Sequence, residues 1–429
     1  MESLHDGLIR GALSAADLRE SLAISPATLM RMVRKAGPTV VRTGRGRATR
    51  YALRQPWPSL DDSRFPMFRI TETGEARSAG ELTTLAASQS LWMPDGRISY
   101  GLPIELSDAQ PSGFLGRHFA ANHADLRLPA RLIDWSDHHI LIAMSRRGED
   151  LPGNLMVGEE SFTRWQTQES VPATRDEYPA LAEATIAGHP PGSSAGGERP
   201  KFGVRVEGQH MLVKFAARGG ATDVVAQRWC DLIVLEGVAL DIVGSRGISA
   251  ARTRVIDTPS HRFLESERFD RVGVRGRRGV LSLAAIHDDL ADPWARAATL
   301  LREAGRLLDV DARHLRWLDA FGALIGNTDR HQHNVLFFAP DTHQGTLRLA
   351  PAFDQVSMMY APTSDGQVPP RVFTVPNVRS DTLDVWDDAR ESARQFWGRA
   401  GEDARLSDDF RVICSSNARL LGVSSRAAD

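Results

Sequence analysis

Cysteine is scarce. The 429-residue chain has two, Cys230 and Cys414, far apart and with no CxxC partner. That count excludes a disulfide framework and a cysteine-built zinc site, and it fits a reducing compartment. No apolar run approaches the roughly 18 residues that a membrane-spanning helix needs. The N-terminus lacks a basic stretch followed by an apolar one, so no signal peptide is expected. The expected location is cytoplasmic, with no membrane partner. An excess of one charge is missing too: the net charge is -2. Whole-molecule attraction to nucleic acid is therefore excluded, and any such role must rest on a local patch. HExxH is absent. Without that spacing, His331, His333 and His343 are poor zinc candidates. No G-x-S-x-G elbow is expected, which disfavours Ser/His/Asp hydrolysis.

What is present fits an ordinary folded chain of two or three domains, with 42% apolar and 25% charged residues. Residues 8–54 read as a unit. Leu13, Ala16, Leu18, Leu22 and Ile24 suit a short helix, and Ser25-Pro26 opens a second with serine as cap and proline at its first position. Gly37-Pro38 stops it. Two strands then flank a tip at Gly44-Arg45-Gly46-Arg47. Helix, turn, helix, hairpin is the order of a winged helix-turn-helix, expected over 1–55. The charged residues of 31–54 are Arg31, Arg34, Lys35, Arg42, Arg45, Arg47, Arg50 and Arg54, and none is acidic. Duplex DNA is the expected partner. Thr28, Arg31 and Arg34 would reach base edges, and Arg42, Arg45, Arg47 and Arg50 phosphates or the minor groove. A second subdomain is expected over 56–185, with a strand at 65–70 and a helix at 78–89. A third region, 186–429, should hold strands at 201–206 and 210–215, a helix at 223–235, helices at 295–325 and a helical C-terminus.

That third region carries the chemistry of phosphoryl transfer, which needs a loop over the phosphates, a cation on them, oxygen ligands for Mg²⁺ and an acceptor for the hydroxyl proton. Ser193, Ser194, Ala195, Gly196 and Gly197, followed by Lys201, offer a flexible loop whose backbone N–H groups can approach phosphate oxygens. Lys214 lies in the apolar strand 211–215 and must place its charge usefully. Asp329 and Asn334 have the five-residue spacing of a kinase catalytic loop, aspartate for the hydroxyl proton and asparagine for Mg²⁺. Asp354 follows a two-strand hairpin, where a second Mg²⁺ ligand belongs.

Together these residues resemble the HipA family, bacterial serine/threonine kinases that are the toxins of toxin–antitoxin pairs. The resemblance rests on 193–201 (family S-x-A-G-x-Q-x-K), on Glu267-Arg268-Phe269-Asp270-Arg271 (E-R-F-D-R), on 326–334 (G-x-x-D-x-H-x-K-N) and on 351–354 (P-x-[YF]-D). The fused helix-turn-helix is similar to the family's YjjJ-like branch. The resemblance implies an α+β, bilobal protein-kinase-like fold that uses ATP and Mg²⁺. It implies Asp329 as base, Asn334 and Asp354 as metal ligands, and Lys214 on the ATP phosphates. Glu267, Arg268 and Phe269 become the adenine hinge, and His331 lies by the nucleotide. Ser193 or Ser194 becomes the autophosphorylated serine. It further implies a protein substrate, aminoacyl-tRNA synthetases among those the family suggests, and leaves a homodimer open. The chain departs from the pattern at His333, where lysine is usual, and at Glu198 or Arg199, where glutamine is usual. Gln227-Arg228 stands where a glutamate partner for Lys214 is sought, and Glu236 looks late for that task. Two functions remain: an active growth-inhibiting kinase, or a DNA-binding regulator whose degenerate kinase fold senses nucleotide. The retained base and metal ligands favour the first.

Overall fold

The computed structural model describes residues 4–93, 96–167, 172–187, 199–220, 222–287, 289–339 and 345–422. The chain forms two compact units, Met1–Ser112 with Phe119–Glu169, and Gly113–His118 with Ser170–Asp429.

In the first unit, helix Ala15–Ser21 starts from a capping box, Ser14 accepting from the Asp17 N–H while the Asp17 carboxylate accepts from the Ser14 N–H. Helix Pro26–Ala36 starts where the sequence indicates, with the Thr28 N–H donating to Ser25 Oγ at 3.2 Å. Strands Val40–Thr43 and Arg50–Leu53 pair in antiparallel register from Val40↔Leu53 to Thr43↔Arg50, and Leu13–Ser14 adds to the other edge of Arg50–Leu53. Gly44 turns the hairpin at φ +75°, and a Cβ there would strike the Ala48 carbonyl oxygen. Leu8, Leu18, Leu29, Val40, Tyr51 and Leu53 form the small core beneath.

The same unit contains a five-stranded antiparallel sheet, ordered Arg97–Tyr100, Gln89–Met93, Ala76–Leu85, Arg64–Ile70 and Leu155–Val157. The helix expected over 78–89 is instead the strand Ala76–Leu85. Leu82, Leu85 and Ala86 have helical spacing, but Gly80 sits at φ +90° and Thr83-Thr84 prefers extended backbone. Pairing with a strand on each side then decides the outcome.

The second unit has a sheet-rich half and a helical half. The four-stranded antiparallel sheet runs Thr253–Asp257, His261–Glu267, Gln209–Ala217, Lys201–Val206. Tyr178, Phe202, Phe215 and Phe263 pack on one another along it. The helix Val224–Ser245 is buried almost continuously from Cys230 to Val243. A large core joins that helix to Trp294–Glu303, Asp309–Leu324, Trp386–Glu402 and Asp408–Gly422, with Phe321, Phe396 and Trp397 at its centre. A small sheet of Val280–Ser282, Leu336–Phe338 and Arg348–Leu349 lies beside these helices and carries the chain from Asn334 to Asp354. No helix among the described residues is long and apolar enough to cross a membrane.

Candidate active site

Lys214 occupies the middle of strand Gln209–Ala217, between the fully buried Val213 and Phe215. Alternation along the strand sends its side chain to the face opposite theirs, where it is also buried. A lone ammonium there would be untenable. Its Nζ donates to Glu236 Oε1 at 2.6 Å and to Asp354 Oδ1. The other Glu236 oxygen, Oε2, accepts from Arg199 Nη2. Burial pushes the Lys214 ammonium down to about 7, against the opposing pull of Glu236. Burial would raise the Glu236 carboxyl, but the Lys214 and Arg199 cations outweigh it and hold the group at about 2.

The glutamate partner of Lys214 is therefore Glu236. The expected helix end at 235 placed Glu236 outside the element, whereas the helix continues to Ser245. A helix buried all round has no polar stripe by which the sequence could mark its length. Gln227 and Arg228 do other work. Gln227 Nε2 donates to Asp231 Oδ1 at 3.2 Å, and Arg228 lies 4.4 Å from the Phe410 ring centroid.

Asp354 has φ +52°, in the left-handed region that L-residues seldom adopt. Its carbonyl accepts from Asn327 Nδ2 at 3.2 Å. Asn327 is wholly buried, and its Oδ1 accepts from the Asp329 N–H at 3.0 Å. One side chain thus ties the Asp354 backbone to the loop that carries Asp329. Gly326 enters this loop at φ +71°, and a Cβ there would come within 2.5 Å of Met359 Sδ. Arg330 donates to the Asn327 carbonyl and, at 3.2 Å, to Asp319. The buried Asp319 also accepts from the Ala295 N–H at 3.1 Å and from Arg379 Nη2 at 2.6 Å. Asn334 Nδ2 closes the loop by donating to the Asp329 carbonyl at 2.9 Å. The Asp329 side chain is half exposed, with His331 Nε2 at 3.7 Å from Oδ1. Sequence reasoning assigned no role to Asn327, Asp319 or Arg379. Asn327 alone carried a signal, as an Asx residue after a turn glycine with a polar backbone two residues on.

The remaining expected residues fall around this core. Lys201 is the register partner of Lys214 across the paired strands. Glu267 ends strand His261–Glu267, and the Arg268 N–H donates to the His210 carbonyl at 2.9 Å. Phe269 packs 5.9 Å from Phe353, the residue before Asp354. The Arg268 side chain donates to Asp270 at 3.1 Å. Ser193, Ser194, Ala195, Gly196, Gly197, Glu198 and His343 lie outside the described residues. Gly192-Ser193-Ser194-Ala195-Gly196 has the letters of G-x-S-x-G, but it leads into strand Lys201–Val206 and not into the helix an elbow requires. In the first unit, Arg31, Arg34, Arg42, Arg45, Arg47 and Arg50 are all exposed. Thr28 is half-buried, with its hydroxyl accepting from Arg31 Nη2 at 3.2 Å.

Residues 193–413 match the family of the HipA-like C-terminal domain, and residues 61–166 match the middle domain of YjjJ-like toxins. The chain belongs to the HipA-like toxin family. Within it, the chain is 34% identical to toxin YjjJ of Escherichia coli strain K12, over 96% of each chain. Its fold is similar to that of a chain in the structure of the Shewanella oneidensis MR-1 HipA toxin–antitoxin system, solved with HipB and operator DNA, at a TM-score of 0.56 and 14% identity. That match covers 83% of this chain and 95% of the other.

The buried cluster yields a pH-dependent prediction. Glu236→Gln leaves two buried cations without their shared anion and should cost about 3 kcal/mol at pH 7. The folded Glu236 carboxyl sits at about 2, below its ordinary 4.5. Its contribution is therefore complete above about pH 4.5 and is lost as pH falls towards 2. Urea denaturation of both proteins across this range should show the difference shrinking with acid. A difference that does not change with pH would mean Glu236 is not the charge that stabilises the cluster.

Proposed function

We propose that the chain is a serine/threonine protein kinase of the HipA toxin type, acting in the cytoplasm with Mg-ATP. One observation carries the reading: Lys214 is held by Glu236 against Asp354, and Asn327 links Asp354 to the Asp329 loop. The donor set suits magnesium, since the Asp354 carboxylate and the Asn334 amide oxygen are hard ligands. The Lys214 ammonium already lies against that carboxylate, so the position tolerates a cation. Bound Mg-ATP supplies the γ-phosphoryl group and charge neutralisation for its transfer. Lys214 fixes a phosphate, and Glu236 fixes Lys214. Phe269 and the backbone at 267–269 take the base, with His331 beside the nucleotide. Asp329 would orient the substrate hydroxyl and receive its proton as the hydroxyl oxygen bonds to the γ-phosphorus and the bond from that phosphorus to the bridging oxygen breaks, with ADP leaving. Ser193 or Ser194 receives phosphate in self-modification. The added -1.5 to -2 charge, roughly, would repel ATP and switch the enzyme off.

A second activity is favoured by the exposed arginines of the first unit. We read residues 8–54 as a winged helix-turn-helix that binds duplex DNA, with helix Pro26–Ala36 for bases and the hairpin for phosphates. The HipA relative was solved with its antitoxin and operator DNA. Here the fused module would regulate the protein's own promoter in cis.

Asp329→Ala should abolish transfer of labelled phosphate, including to Ser193 or Ser194 by mass mapping, and leave ATP affinity nearly unchanged in calorimetry. An unaltered transfer rate would remove Asp329 from the role of base.

The DNA reading is checked by anisotropy on upstream and scrambled duplexes over a salt series. Neutralising Arg42, Arg45, Arg47 or Arg50 should flatten the log–log salt slope by roughly 0.9 per phosphate contact and weaken all sequences alike. Arg31→Ala or Arg34→Ala should instead relax sequence preference. Salt-insensitive binding, or none, would make the hairpin a protein-docking surface.

A further inference from the structure

Arg199 precedes Lys201 by two residues, and Lys201 is the register partner of Lys214. The Phe215 N–H donates to the Pro200 carbonyl at 3.1 Å, which clamps this segment alongside the lysine strand. Two-residue alternation puts Arg199 on the face that carries Lys201 and Lys214. Its side chain is 7% exposed, and Nη2 donates to Glu236 Oε2. Nη1 is buried with no hydrogen-bond partner among the described residues.

A guanidinium offers five donors in a planar fork, and one shared carboxylate oxygen leaves this one unsatisfied. A buried charged donor without an acceptor is costly, and such groups mark a place where a ligand completes the bonding. The surrounding charges agree. Arg199 and Lys214 face Glu236 and Asp354, two cations against two carboxylates. A cation drawn to Asp354 would leave the arginine and lysine in local excess, which suits a polyanion.

We propose that Arg199 is a second phosphate ligand, its Nη1 meeting an oxygen of the polyphosphate chain of the nucleotide that Lys214 binds. The assignment rests on the reading of Lys214 as a nucleotide-binding cation. The HipA pattern has a neutral glutamine near this place, so Arg199 would give this chain a stronger dependence on phosphate number.

The test is calorimetric titration of the full chain with ATP and with adenosine, for wild type, Arg199→Gln and Arg199→Lys. Arg199→Gln should weaken ATP binding on the order of tenfold or more, the scale of a lost hydrogen bond to a charged group, and leave adenosine affinity unchanged. Arg199→Lys keeps the charge and loses the fork, so it should show a smaller loss confined to ATP. It keeps the test decisive if the glutamine variant does not fold. Unchanged ATP affinity in the variants would overturn the role of Arg199 alone. Equal losses for ATP and adenosine would overturn it as well, by showing that Arg199 merely positions Glu236. A folded wild-type chain that binds no ATP would overturn this assignment together with the reading of Lys214.

Discussion

Glu236 accepts from Lys214 through one oxygen and from Arg199 through the other, and all three side chains are buried. Removing one partner of a buried ion pair costs roughly 3–5 kcal/mol, because the survivor keeps its desolvation penalty without its Coulombic return. The elements that carry the members of this cluster are bound by that constraint. The helix Val224–Ser245 must bring its middle, not its end, to the sheet. Strand Lys201–Val206 must lie close enough to Gln209–Ala217 for Arg199 to reach across. The chain after the small sheet must turn through a left-handed residue to bring Asp354 to the same lysine.

Geometry passes from this cluster to the Asp329 loop through Asn327. An amide can accept on one side and donate on the other, and Asn327 uses both, towards the Asp329 N–H and the Asp354 carbonyl. Asp319 anchors the loop from behind with three donors. Aspartate can take several donors at once because it offers about four lone-pair sites. The result is a half-exposed carboxylate at Asp329 on a backbone held from both sides.

Much of this was legible in the sequence, for identifiable reasons. The Asp329 and Asn334 spacing, Asp354 after a hairpin and Lys214 in an apolar strand are local patterns written in few residues, and the fold sets Lys214 against Asp354 and joins Asp354 to the Asp329 loop through Asn327. The Ser25-Pro26 helix start and the hairpin around Gly44 were legible because caps and tight turns are written in one or two side chains. Glu236 was hard to place because continuous burial erases helical periodicity. The strand Ala76–Leu85 was misread because leucine spacing suggests a helix, while the sheet partners that override it come from elsewhere in the chain. Asn327, Asp319 and Arg379 act through contacts between distant residues, to which no spacing rule points.

Under the proposed function, Asp354 and Lys214 would be the two ends of one Mg-nucleotide site. Its most direct test is the Mg²⁺ dependence of ATP binding in wild type and Asp354→Asn, each titrated with metal at fixed ATP. The variant should need substantially more Mg²⁺ to reach half-saturation, since an anionic ligand has become neutral. Identical Mg²⁺ curves for the two proteins would contradict it.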